Sequence, residues 1–134
     1  MSNQIKIDAR IFVNDDGFSD LPTAYAQGDS ITLDSHNDFD FPNTRIDDFA
    51  LVEITFTSSH DGRGFSIACA LRDQGYSGLI LATGAIIPDQ YRHLRQCGFD
   101  GVLLSKAQAK RMPEPHWSEQ VAKIVYSYQN QIFE

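Results

Sequence analysis

A chain of 134 residues with 42% hydrophobic content predicts one globular domain with its own core and leaves little room for a second. The net charge of −7 lies at one end: residues 1–56 carry eleven Asp/Glu against three Lys/Arg, and residues 57–134 seven against eight, a field that argues against nucleic acid as a partner. No apolar run approaches the roughly 20 residues of a bilayer span, and the opening residues carry no signal-peptide core, so no membrane association and a cytoplasmic location are expected.

In chain order, Lys6 to Val13 alternates as a strand, with Ile5, Ile7, Ala9 and Ile11 on one parity, and Asn14-Asp15-Asp16-Gly17 closes a turn, which predicts an N-terminal hairpin. Ile31 to Leu33 is a short second strand candidate. The polar stretch from Asp34 to Asn43 carries Asp34, His36, Asp38 and Asp40, but it lacks the glycine of a calcium loop, so turn chemistry is the expected role and no metal site is assigned. Phe49 to Phe56 is a nearly continuous apolar run and predicts a buried strand.

A repeat follows. Phe65 to Gln74 has Ile67, Ala68 and Leu71 at helical spacing, with Gly75 as a stop. Leu79 to Ala82 is the next strand, and Pro88, Ile87, Tyr91 and Leu94 predict a second helix that ends at Gly98. Gly101 to Leu104 is a third strand, leading to a helical piece over Lys106 to Arg111. Pro113 and Pro115 then predict a break before a final helix from Trp117 to Gln131, with Val121, Ile124, Val125 and Tyr128 as its buried face. The domain therefore reads as residues 1–48, a hairpin and acidic loop, before an α/β core over 49–134. That core is expected to be a small parallel sheet built from repeated strand–helix units. Part of a TIM-like barrel is the alternative, which could close only by oligomerisation at this length.

Parallel units place their strand-to-helix loops along one sheet edge, where ligands bind in sheets of this class. Candidate ligand-binding residues on that edge are His60, Asp61, Gly62, Arg63, Gly64 and Ser66 from the first loop, Thr83 and Gly84 from the second, and Lys106 beside Ser105 from the third. Two glycines flank Arg63 where a helix begins, so backbone N–H groups and a guanidinium could face one small anion or phosphate-bearing metabolite; pairing of Arg63 with Asp61 or another carboxylate to brace a tight turn is the alternative of equal weight. Cofactor fingerprints are missing: the third glycine of a dinucleotide loop is Ile67, no glycine-lysine-serine/threonine string occurs, and Ser58 to Asp61 lacks nucleophile-elbow spacing. Asp89, with Arg92 and His93 three and four residues on, reads as a helix-start charge with surface ion pairs. Cys69 and Cys97 share no CxxC spacing and are expected to be reduced thiols filling small packing positions.

Taken together, Asp61-Gly62-Arg63-Gly64-Phe65-Ser66, Leu71-Arg72, Gly75-Tyr76, Gly78, Ala82, Gly84, Asp89-Gln90, Leu94-Arg95 and Cys97-Gly98-Phe99-Asp100 give the chain a family resemblance. It resembles the bacterial domain-of-unknown-function family 934, almost without gaps from Phe49 to Leu104, while residues 1–48 match only in the opening hairpin. Family members are often encoded beside sulfite reductase and other genes of reductive sulfate assimilation, and carry provisional oxidoreductase labels. The resemblance thus implies a role in sulfur assimilation, and it adds Asp89 and Gln90 to the candidate site. This chain lacks the family's common acidic residue at Ala85 and basic residues at Pro88 and Leu81. The expected function is small-anion binding. A non-catalytic module that docks on a reductase or self-associates through Phe39, Phe41 and the acidic half is the alternative. An oxidoreductase working with a borrowed cofactor comes third.

Overall fold

The structure is a computed structural model that describes residues 10–20, 29–34, 46–58 and 62–133, with the side chains of 46 and 124–133 left aside. Among these residues six strands form one sheet: β1 (Ile11–Asn14), β2 (Gly17–Ser19), β3 (Ser30–Asp34), β4 (Leu51–Phe56), β5 (Leu79–Gly84) and β6 (Gly101–Leu104). Among the described residues four helices accompany them, α1 (Arg63–Asp73), α2 (Tyr91–Gln96), α3 (Lys106–Arg111) and α4 (Glu114–Phe133), with short 3-10 turns at Ile46–Asp48 and Pro88–Gln90. The spatial order is β2-β1-β6-β5-β4-β3; β3 to β6 are parallel, and the hairpin joins β6 in antiparallel pairing. The mixed α/β class with its parallel core and N-terminal hairpin is as the sequence predicts.

One strand parity faces the helices. Val52, Ile54 and Phe56, with Ile80, Ala82, Val102, Leu104 and Val13, pack against Ala68 and Leu71 of α1, Tyr91 and Leu94 of α2 and Trp117 of α4 in a single buried cluster. Both crossover helices therefore lie side by side on the same face, as right-handed connections between strands in sequential order require. The opposite parity holds a smaller cluster of Phe12, Leu51, Leu81 and Leu103. Because β3 to β6 follow in chain order, the parallel strands never reverse direction of growth. The crevice that forms at such a reversal in doubly wound sheets has no counterpart here, so a site on this edge must be built from the loops themselves, as in a barrel.

The final helix begins earlier than its proline pattern predicts. Pro115 sits in the first turn of α4, where the missing N–H has no helical partner to lose. Its buried face is led by Trp117, whose Nε1 donates to Met112 O at 2.9 Å and whose ring meets Tyr91 edge-on, together with buried Gln120. Val121 packs at the margin of the core; Ile124, Val125 and Tyr128 lie outside the described side chains. Glu114 accepts from the edge-strand amide of Phe18 at 2.7 Å, which ties α4 to the hairpin.

Two arginines bind the elements together. Arg72, at the end of α1, donates Nε and Nη2 to Gly98 O (3.0 and 2.8 Å), Nη1 to Tyr76 O and Gly78 O (both 2.9 Å), and Nη2 to Asp100 Oδ2 (2.9 Å). All five guanidinium donors are thus used at the N-terminal edge of the sheet. Arg95 bridges α2 to the β1–β2 turn, donating Nε and Nη2 to the two Asp15 oxygens at 3.1 Å each, while Tyr91 Oη donates to Asp15 Oδ1 at 2.5 Å. Burial acts to raise the Asp15 carboxyl, but the hydrogen bonds from Arg95 and Tyr91 and the Arg95 charge outweigh it and hold the pKa below its ordinary 3.8. The stabilisation from a lowered carboxyl is complete above the unfolded value and disappears as pH falls through the folded one. Asp15→Asn is therefore expected to cost about 1 kcal/mol at pH 7, after allowance for solvent screening. The difference from wild type should shrink below about pH 4, as measured by urea unfolding across pH.

Candidate functional site

The C-terminal edge of the parallel strands is stitched across its loops. Ala85 N donates to Phe56 O at 2.9 Å, joining the second loop to the end of β4, and Gln108 Nε2 donates to Gly84 O at 2.6 Å, joining the third loop to the second. Gln108 is also the partner of Ser105 in a reciprocal N-terminal cap, each side chain taking the other residue's backbone N–H. Lys106 stands exposed at the first position of that short helix.

Helix α1 begins differently. Gly62 occupies its N-cap position and supplies no side-chain oxygen to the first-turn amides. A Cβ on Gly62 would meet open space, whereas one on Gly64 would collide with the Phe56 ring, so Gly64 sets how closely α1 approaches β4. Arg63 is exposed on the first turn and carries an interaction of its own. Beside it runs a groove of about 480 Å³ between α1 and α2. Positions 62, 66, 69 and 73 present one stripe of α1 to the groove while 64, 68 and 71 face the sheet, the spacing expected of one helix with two uses. His93 and Cys97 form the α2 wall, and His93 stacks on Phe65 with ring centroids 4.1 Å apart and planes at 11°.

The candidate residues fall into separate groups. Gly62 and Ser66 line the groove, with Arg63 on the same turn. Thr83 points to the other face of the sheet, where its hydroxyl pairs with Thr55 at 3.0 Å. Gly84, at φ +89, closes against the Phe56 backbone. Asp89 accepts a long hydrogen bond from Gln120 of α4 (3.5 Å), and the Gln90 side chain accepts from Ile87 N (3.0 Å), so both engage the start of α2. His60 and Asp61 lie outside the described residues, as do His36, Asp38, Asp40, Phe39 and Phe41. Among the described residues, no three His, Cys, Asp or Glu side chains are placed to share a metal ion, and no helix is long and apolar enough to cross a membrane.

Two features escape the linear reading. Cys69 and Cys97, expected to serve as separate packing residues, meet in the groove. Cys69 is exposed and Cys97 half-buried, and both line the same groove. The cause is the side-by-side packing of α1 and α2, and the helical wheel contains a hint, since Cys69 falls outside the stripe of Ala68 and Leu71. The second feature is Glu53, 7% exposed within the apolar strand β4, whose carboxylate pairs with Arg10 across the second sheet face, Arg10 Nη2 lying 3.4 Å from its Oε2. Nothing local in the run from Phe49 to Phe56 identifies a partner 43 residues away.

A small α/β protein with an N-terminal hairpin and a groove beside a helix start defines the class. The family model described as "Bacterial protein of unknown function (DUF934)" matches residues 30–134, and the chain belongs to that family. The match takes in β3 and α4, well beyond the stretch from Phe49 to Leu104 that carries the resemblance in sequence. No curated protein and no solved structure matches the chain.

Proposed function

We propose that the protein is an accessory protein that holds a small anion, a sulfur oxyanion or a phosphate-bearing metabolite, at the first turn of α1. The observation that carries this reading is the start of that helix. Its N-cap glycine gives the first-turn amides no side-chain acceptor, an exposed Arg63 stands on the turn, and Gly62 and Ser66 line a groove beside it. Donors on successive amides together with a guanidinium suit a tetrahedral or pyramidal oxyanion, and Ser66 adds a hydroxyl. Lys106 contributes long-range attraction against a net charge of −7. Reductive sulfur assimilation in the cytoplasm is the setting that the family resemblance implies, with an enzyme of sulfite assimilation as a candidate partner. The docking-module alternative turns on Phe39 and Phe41, which lie outside the described residues; Ile87 is an exposed large hydrophobic among the described ones.

Thermal unfolding against sulfite, sulfate and phosphate tests the reading. An anion at 100 times its dissociation constant adds about 2.7 kcal/mol to stability, a shift of several degrees for a domain of this size. The expected result is a shift for at least one of these anions that Arg63→Ala abolishes without lowering the ligand-free Tm by more than about a degree. Equal shifts in both proteins would remove Arg63 from the site.

A further inference from the structure

We infer that Cys69 and Cys97 act as one dithiol, converted to an intramolecular disulfide by exchange with a small-molecule disulfide admitted to the groove between α1 and α2. Both thiols line that single groove, and they reach it from different helices. Cys69 is on its solvent-exposed side, and Cys97 lies half-buried at the end of α2. Disulfide formation brings the two sulfurs to about 2.05 Å, a closure between neighbouring segments that face one groove. This inference stands on the groove that both cysteines line and is independent of the anion reading.

The two thiols have different environments and hence different roles. Burial, and then the neighbouring Cys69 thiol, push the Cys97 thiol up to about 11, so it is held protonated at neutral pH. Exposed Cys69 is the group that an incoming reagent meets first. Its proton goes to solvent, and the thiolate attacks one sulfur of the small disulfide. The reagent's S–S bond breaks, and one half leaves as a thiolate that takes up a proton. Cys97 then loses its proton to solvent and attacks Cys69 Sγ, expelling the second half in the same way. Two protein thiols are oxidised and one small disulfide is reduced to two thiols. Asp73 and His93 line the same groove, and the Asp73 carboxylate disfavours anionic reagents. An uncharged disulfide is the appropriate probe.

The reduced protein incubated with 2-hydroxyethyl disulfide and followed by intact mass and peptide mapping provides the test. Wild type is expected to lose two hydrogens and to yield one peptide pair joined through Cys69 and Cys97. Cys97→Ser should instead accumulate the reagent as a mixed disulfide on Cys69, and Cys69→Ser should react at least about tenfold more slowly, because only the half-buried thiol remains. Stable reagent adducts on the wild-type protein, or a cross-link that joins two chains, would overturn the inference.

Discussion

Replacing Arg72 by methionine is expected to lower the free energy of unfolding by about 3–4 kcal/mol, the largest single-residue effect outside the apolar core. Methionine keeps much of the unbranched stem, so the loss isolates the guanidinium. Four of its five hydrogen bonds go to the backbone carbonyls of Tyr76, Gly78 and Gly98, and the fifth to Asp100, whose Oδ2 also accepts Ile80 N at 2.9 Å. Removing the guanidinium deprives two chain segments, 76–78 and 98–100, of one shared donor, while partial exposure of the Asp100 pair lets water recover part of the loss. Lysine at this position should recover less than half, since an ammonium cannot reproduce the planar fork. Urea denaturation of the three proteins measures both effects. Gly98, at φ +101, belongs to the same arrangement, because a Cβ there would strike the Arg72 side chain. Much of the pattern that carries the family resemblance, Leu71-Arg72, Gly75-Tyr76, Gly78 and Cys97 to Asp100, thus surrounds a structural clamp at the sheet edge away from the proposed site.

Gly84→Ala is expected to destabilise by about 3 kcal/mol, and Gly62→Ala by less than about 0.5 kcal/mol. Gly84 has φ +89, a conformation that strains any L side chain, and its Cβ would be driven into the carbonyl oxygen of Phe56, a backbone atom that cannot swing aside. That oxygen also accepts Ala85 N, so relieving the clash disturbs the junction of the first two loops. Gly62 has φ −84 and open space where the Cβ would go. The contrast, read from urea unfolding, separates a glycine needed for the strand ends to meet from one that leaves the helix start uncovered.

Much of the frame is legible in the sequence because it is local. The strand over Gly101 to Leu104 and the helix over Lys106 to Arg111 fall where the pattern places them, and Gly75 and Gly98 stop their helices at positive φ, +93 and +101. Residues that work across the fold are not legible. Arg72 has the local appearance of a solvated helix residue, Glu53 is hidden in an apolar run, and the shared groove of Cys69 and Cys97 depends on which face the crossovers take. Pro115 misleads for a different reason: a proline that ends one helix and a proline that opens another look the same until the partners of the first turn are known. At the site, the helix start is legible from its flanking glycines, but the exposure of Arg63 is not, since the same residues suit a paired brace, and neither is the groove wall on α2, since His93 and Cys97 come from the neighbouring unit.

The most direct test of the anion site is an amide chemical-shift titration of the 15N-labelled protein with sulfite, sulfate and phosphate in turn. The site predicts that one of these anions moves the amides of Arg63, Gly64 and Phe65 in a saturable way, with the remaining sheet amides still. Saturable shifts confined to another part of the chain, or none with any of the three, would contradict it.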